Sequence, residues 1–151
     1  MISLAMLANT YLNLSDDEYM EFIEIYNSMC ILKVPDNKRY YMKYGDSWCA
    51  MFTSVIAHKV GLGADDFPYG VSVREQYLTA IKRGKFYDDR KNIKVGDLVI
   101  FSWNLMDLQH VGIVTGVDLE DITTVEGNLN GTSGTRTISK YDKRVYGFIG
   151  V

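Results

Sequence analysis

The chain has 151 residues, the size of one ordinary domain and long enough to bury a core without a disulfide or a structural metal. Its 47% hydrophobic and 23% charged residues exclude a disordered or low-complexity chain. Sixteen Lys and Arg against nineteen Asp and Glu leave a formal charge of -3, the wrong balance for a nucleic-acid binder that works by counterion release.

In chain order, Ile2 to Ala8 is mildly apolar, with no Lys or Arg before it and no secretory cleavage spacing. It reads as the start of a helix, and the protein as made in the cytoplasm with no export address of its own. Ser15 followed by Glu18 is a capping-box signature. Tyr19, Phe22, Ile23, Tyr26 and Met29 then recur at helical spacing over Asp16 to Met29. Lys33 to Asp46 is a connecting loop. A second helix is expected from Trp48 to Val60, ended by Gly61, and a third from Val73 to Arg83.

From Lys94 onward the period changes to that of strands. Asp97 to Trp103, His110 to Val117, Ile122 to Glu126, Thr135 to Lys140 and Val145 to Val151 are separated by Gly, Asn and Asp turns. Helices followed by an antiparallel sheet make an α+β domain. With no repeat or linker, residues 1–151 are read as one domain. Apolar stretches such as Leu98 to Phe101 are too short to cross a bilayer, so no membrane span is expected.

Two cysteines, Cys30 and Cys49, do not make a disulfide framework in the cytoplasm. Cys30 sits at an apolar helix end and reads as buried and inert. Cys49 falls in a first helical turn, capped by Asp46 or Ser47, where free amides and the helix dipole favour a thiolate. It also shares a face with Phe52, Ile56 and Val60, as a plain core residue would. Of the two histidines, His58 is nine residues along the same helix, about 13 Å away, and cannot reach the thiol. His110 remains.

His110, Gly112, Val114 and Gly116 share one strand face, opposite Val111, Ile113, Thr115 and Val117, which read as a normal core face. The glycines either leave room for a close approach or mark a bulge. A three-residue hairpin loop at Val117 to Leu119 would set His110 directly opposite Glu126, where a carboxylate can orient the imidazole. A loop one residue different would turn Glu126 to the wrong face. Asn128 is a turn residue or a polar group of the same site. Trp48 and Trp103 flank the site in sequence and are candidate substrate-binding walls. The paired aspartates lack a calcium-loop spacing, and the Cys and His residues do not cluster as zinc ligands, so no metal or cofactor is expected.

The segments Asp46-Ser47-Trp48-Cys49-Ala50-Met51-Phe52, Gly96-Asp97-Leu98-Val99-Ile100-Phe101, His110-Val111-Gly112-Ile113-Val114, Val125-Glu126-Gly127-Asn128 and Tyr146-Gly147-Phe148-Ile149 together resemble a CHAP domain. This is the cysteine, histidine-dependent amidohydrolase/peptidase module of bacterial and phage peptidoglycan hydrolases. The resemblance implies a papain-like α+β fold and hydrolysis of a peptidoglycan amide bond, by an amidase or an endopeptidase. It implies Cys49 as nucleophile, His110 as base and then acid, Glu126 as orienting residue and Asn128 as accessory polar group. The Asp-rich calcium site of some members is reduced here to Asp46, so calcium is not expected. A phage or prophage lysin, reaching the wall through a lysis system or a virion, is the implied setting. The residues also leave open a non-catalytic wall- or glycan-binding module, and a papain-like cysteine hydrolase of another substrate. The cleft that selects substrate is expected between Lys33 to Asp46 and Asp65 to Ser72.

Overall fold

The computed structural model describes residues 2–151; Met1, the first residue of the expected 1–151 domain, lies outside the described residues. Among the described residues four α-helices come first, with a short 3-10 turn at Asp36–Lys38 between the second and third. α1 (Leu4–Ala8) is capped by Ser3, and α2 (Asp16–Lys33) by the expected capping box. There Ser15 Oγ accepts from Glu18 N–H at 3.2 Å, and Glu18 Oε1 from Ser15 N–H at 3.0 Å. α2 runs a turn past Met29. The Arg39 guanidinium folds back onto its end, donating to the carbonyls of Ile31 (2.6 Å) and Val34 (2.8 Å), and so satisfies groups a helix end leaves unpaired.

α3 (Cys49–Val60) stops at Gly61, whose φ of 98° is the left-handed cap conformation. Every residue from Cys49 to Ala57 is buried, because α1 and α2 contact α3 from one side while β3 and β4 contact it from another. Its single apolar stripe in sequence understates this. α4 (Val73–Lys82) is capped by Ser72.

Six strands form one antiparallel sheet in the order β1-β6-β2-β3-β4-β5. They are β1 (Phe86–Tyr87), β2 (Leu98–Phe101), β3 (His110–Val117), β4 (Asp121–Leu129), β5 (Thr132–Ser139) and β6 (Val145–Ile149). The α+β arrangement expected from the sequence, helices followed by an antiparallel sheet, is therefore present. β1 was not anticipated, since two residues are too few to carry a period. It is an edge strand that pairs Phe86 with Ile149 and Tyr87 with Phe148.

The two faces of the sheet have different tasks. Leu98, Ile100, Val111, Ile113, Val125 and Ile149 join the helices in the main core. Val99, Phe101, Val114, Ile122, Val145 and Phe148 form a second apolar cluster, onto which Trp103 and Ile138 pack. Adjacent residues of one strand serve opposite clusters, as a pleated backbone requires.

Candidate active site

Cys49 is the first residue of α3, and the N-cap is Trp48, not Asp46 or Ser47 as the sequence suggested. Asp46 is occupied in its own turn, where Oδ2 accepts from Tyr40 O–H (2.9 Å) and Lys43 N–H (3.0 Å). The Trp48 side chain makes no capping hydrogen bond. The first intrahelical bond is Phe52 N–H to Trp48 C=O at 2.9 Å. The amides of Cys49, Ala50 and Met51 precede it and point out of the helix end, where they favour negative charge.

His110 opens β3 and is 7% exposed. Its Nε2 lies 2.7 Å from Glu126 Oε1. An ionised carboxylate only accepts, so Nε2 carries the proton and Nδ1 is left for the thiol. Burial works against the imidazolium, but the influence of Cys49 and the hydrogen bond to Glu126 outweigh it and push the ring up to about 9.

Glu126 is fully buried. Burial disfavours its charged form, yet hydrogen bonds from His110, Arg136 and Thr124 hold its carboxyl below the usual range. Arg136 donates from Nε to Oε2 at 2.9 Å and from Nη2 to Oε1 at 3.0 Å. This two-pronged geometry is the strong form of such a pair.

Glu126 does not sit directly opposite His110. Val117 pairs with Ile122, so the turn is longer than expected, and by itself it would send Glu126 to the helix-facing side. The register then shifts between Val114 and Gly116, with Thr115 as the extra residue, and Ile113 pairs with Val125. The bulge restores the parity that the turn loses. Glu126 comes to lie beside Gly112 and reaches His110 diagonally. A Cβ on Gly112 would be 2.7 Å from Glu126 Cγ, so this glycine makes room for the carboxylate side chain.

Arg136 was missed by sequence reasoning, again because of a bulge. The Asn130-Gly131 turn, with φ of 51° and 83°, is a recognisable two-residue hairpin signal. Counted from that turn, Arg136 falls on the opposite face from Glu126. A shift between Glu126 and Leu129, where Asn128 takes φ 57°, instead pairs Glu126 with Gly134 and Thr124 with Arg136.

The remaining candidates are more dispersed. Asn128 is not among the hydrogen-bond partners of His110 or Glu126; its Nδ2 is 3.4 Å from Ser47 Oγ. Trp48 is 5% exposed and packs on Tyr19 and Phe52. Trp103 is half-buried, stacked on Phe101 with ring centres 4.8 Å apart, and 5.9 Å from His110. A cavity of about 350 Å³ adjoins the Cys49 end of α3 and is lined by Asp16, Tyr44, Asp46, Ser47, Trp48 and Asn128 among others. Of the two segments expected to form the cleft, Lys33–Asp46 contributes Tyr44, Gly45 and Asp46 to this cavity; its Lys33 to Lys38 part lines a different one together with Tyr69 to Ser72, and Asp65, Asp66 and Pro68 border a third. Cys30 is buried, as expected. His58 lies in α3 with its Nδ1 buried and unpartnered.

A family model described as the CHAP domain matches residues 39–128, more than half of the chain. The chain belongs to the CHAP family. The matched segment contains Cys49, His110, Glu126 and Asn128, while β5, with Arg136, lies beyond it. No curated protein matches. Among solved structures, that of Ly7917 is 16% identical with a TM-score of 0.49, over 85% of this chain and 62% of that one. A protein described as similar to lipoprotein, NLP/P60 family, from Staphylococcus aureus subsp. aureus Mu50 is 14% identical with a TM-score of 0.47, over 94% and 44%. The CHAP chain thus spans less than two thirds of the length of either.

Proposed function

We propose that this CHAP protein hydrolyses an amide bond of bacterial peptidoglycan through a cysteine acyl-enzyme, as an N-acetylmuramoyl-L-alanine amidase or a peptidoglycan endopeptidase. The observation that carries this reading is the His110 ring, hydrogen-bonded through Nε2 to a buried Glu126 and coupled electrostatically to Cys49, which stands at the open end of a helix. A core cysteine needs none of that.

In this mechanism His110 Nδ1 takes the Cys49 proton and the sulfur attacks the amide carbonyl carbon. The oxyanion is met by the Cys49 amide and the positive end of α3. The tetrahedral adduct collapses as the imidazolium protonates the leaving amine, which departs and leaves a thioester. A water then gives its proton to His110 and attacks the thioester. The acid product is released and the thiol regains its proton. Glu126 accepts from Nε2–H throughout and steadies the imidazolium. Trp103 and the cavity beside Trp48 and Asn128 would receive the flanking substrate groups. The enzyme acts at the wall, as a phage or prophage lysin released by a lysis system or carried in a virion.

The test is turbidity loss of purified Gram-positive and Gram-negative walls, wild type beside Cys49→Ala, with mass spectrometry of the released fragments. Clearing by the wild type alone supports the hydrolase, and the new termini separate amidase from endopeptidase. Binding without clearing by both proteins would replace it with a wall-binding module.

A further inference from the structure

We propose that Arg136 is a positioning residue of this site: by gripping both oxygens of Glu126 it keeps the carboxylate charged and aimed at His110, and so sets the pH range in which Cys49 and His110 work. The proposal rests on the cysteine-hydrolase reading above.

Three observations support it. First, a fully buried carboxylate needs a compensating charge, and a histidine that must cycle between neutral and protonated forms supplies one for only part of the reaction. Arg136 is charged throughout. Second, its contacts are directional: Nε and Nη2 meet the two oxygens at 2.9 and 3.0 Å, which fixes the plane of the carboxylate and hence the line from Oε1 to Nε2. Third, Arg136 is itself held. Its guanidinium carbon lies 4.8 Å from the Trp103 ring centre and 5.6 Å from that of Phe101, and it covers Glu126 from the β5 side.

The charges around Glu126 come from each packed element: Cys49 through His110 from α3, His110 from β3, and Arg136 from β5. Phe101 of β2 and Trp103 just beyond it are uncharged. Arg144, 5.8 Å from the Trp103 ring, is paired with Asp142 at 2.8 Å. With thiolate and imidazolium formed, the four groups of the site sum to zero only if Arg136 is counted. Removing a positive charge raises the pKa of every neighbour. Loss of Arg136 should therefore move both the Glu126 and the His110 titrations to higher pH.

The experiment is an NMR titration of the two histidine rings in wild type, Arg136→Gln and Arg136→Lys, beside pH profiles of kcat/KM on solubilised wall fragments. In Arg136→Gln the His110 midpoint should rise by about 1 unit or more, with His58 unmoved as an internal control. The acid limb of kcat/KM should rise with it, and kcat should fall roughly 10- to 100-fold with little change in KM. Arg136→Lys, which keeps the charge but cannot span both oxygens, should keep the wild-type midpoint while kcat falls roughly tenfold.

A wild-type midpoint and pH profile in Arg136→Gln overturns the proposal, even if the variant is less stable, because the arginine would then be only structural. If Arg136→Gln does not fold, an unchanged kcat in Arg136→Lys overturns it equally. The titration needs no turnover. Walls left intact by the wild type would sink the hydrolase reading while the arginine's effect on His110 was still measured.

Discussion

Replacing Gly112 by alanine would put a methyl group where the Glu126 side chain now runs. The added carbon would lie 2.7 Å from Glu126 Cγ and 3.4 Å from Thr124 Cβ. Carbon atoms prefer separations of about 3.5–4.0 Å, so Glu126 must withdraw by roughly 1 Å. It has little freedom to do so, because it is fully buried and tied to His110, Arg136 and Thr124. Overpacking of this kind costs about 1–3 kcal/mol. The loss of glycine's unfolded-state entropy offsets about 0.5–1 kcal/mol. A net loss of about 1–2 kcal/mol lowers Tm by roughly 2–8 °C in a chain of this size. The effect on activity should be larger, since a displacement of about 1 Å in an orienting group can cost on the order of 100-fold. Gly116→Ala is the control: there the new carbon meets Thr123 Cβ at 3.5 Å, an ordinary contact, and both Tm and wall clearing should hold. Thermal unfolding and initial clearing rates of the two variants give the answer. A Gly112→Ala protein that melts and clears like wild type would refute the argument that this glycine exists to pass the carboxylate.

Stability should also depend on pH through His110. Its folded pKa of about 9 stands above the ordinary 6.5, so its contribution is complete below about pH 6.5 and is lost as pH rises through about 9. The change is on the order of 3 kcal/mol. Urea unfolding at pH 6, 8 and 10 should show this decline in wild type and a flatter curve in His110→Gln; equal slopes would count against it. Glu126 has the opposite sign, because its lowered pKa adds stability above the ordinary carboxylate range that disappears on acidification. Gly127→Ala should be more damaging than Gly112→Ala. Its added carbon would lie 2.7 Å from Phe52 Cγ and 3.0 Å from Trp48 Cε3, both on rigid buried rings, for a loss of about 3 kcal/mol. Urea titration measures it, and a loss below about 1 kcal/mol would mean that β4 and α3 are less tightly apposed than the structure has them.

The elements with strong local signals were legible in the chain. The α2 capping box joins residues three apart, and Gly61 ends α3 through its own backbone preference. The switch from helical to strand period near Lys94 separates the helices from the sheet, and β3 begins and ends where expected. Cys49 at a helix start and His110 at a strand start could be found because each depends on its own element's first residue. The cap of α3 was misjudged because Asp46 has a local alternative: it closes its own turn on Lys43 and Tyr40.

What no local pattern could decide was register. Alternation says which strand residues share a face, but it does not count across a bulge, and one extra residue reverses every assignment beyond it. The sequence by itself determined an α+β chain with a thiol at a helix start, an imidazole at a strand start and a carboxylate on the neighbouring strand. Only the tertiary structure, through the bulges at Thr115 and Asn128, decided that Glu126 lies beside Gly112 and that Arg136 reaches it. The physical reason is that a bulge is held by packing and hydrogen bonds on both sides of a strand, and those partners lie far apart in the chain.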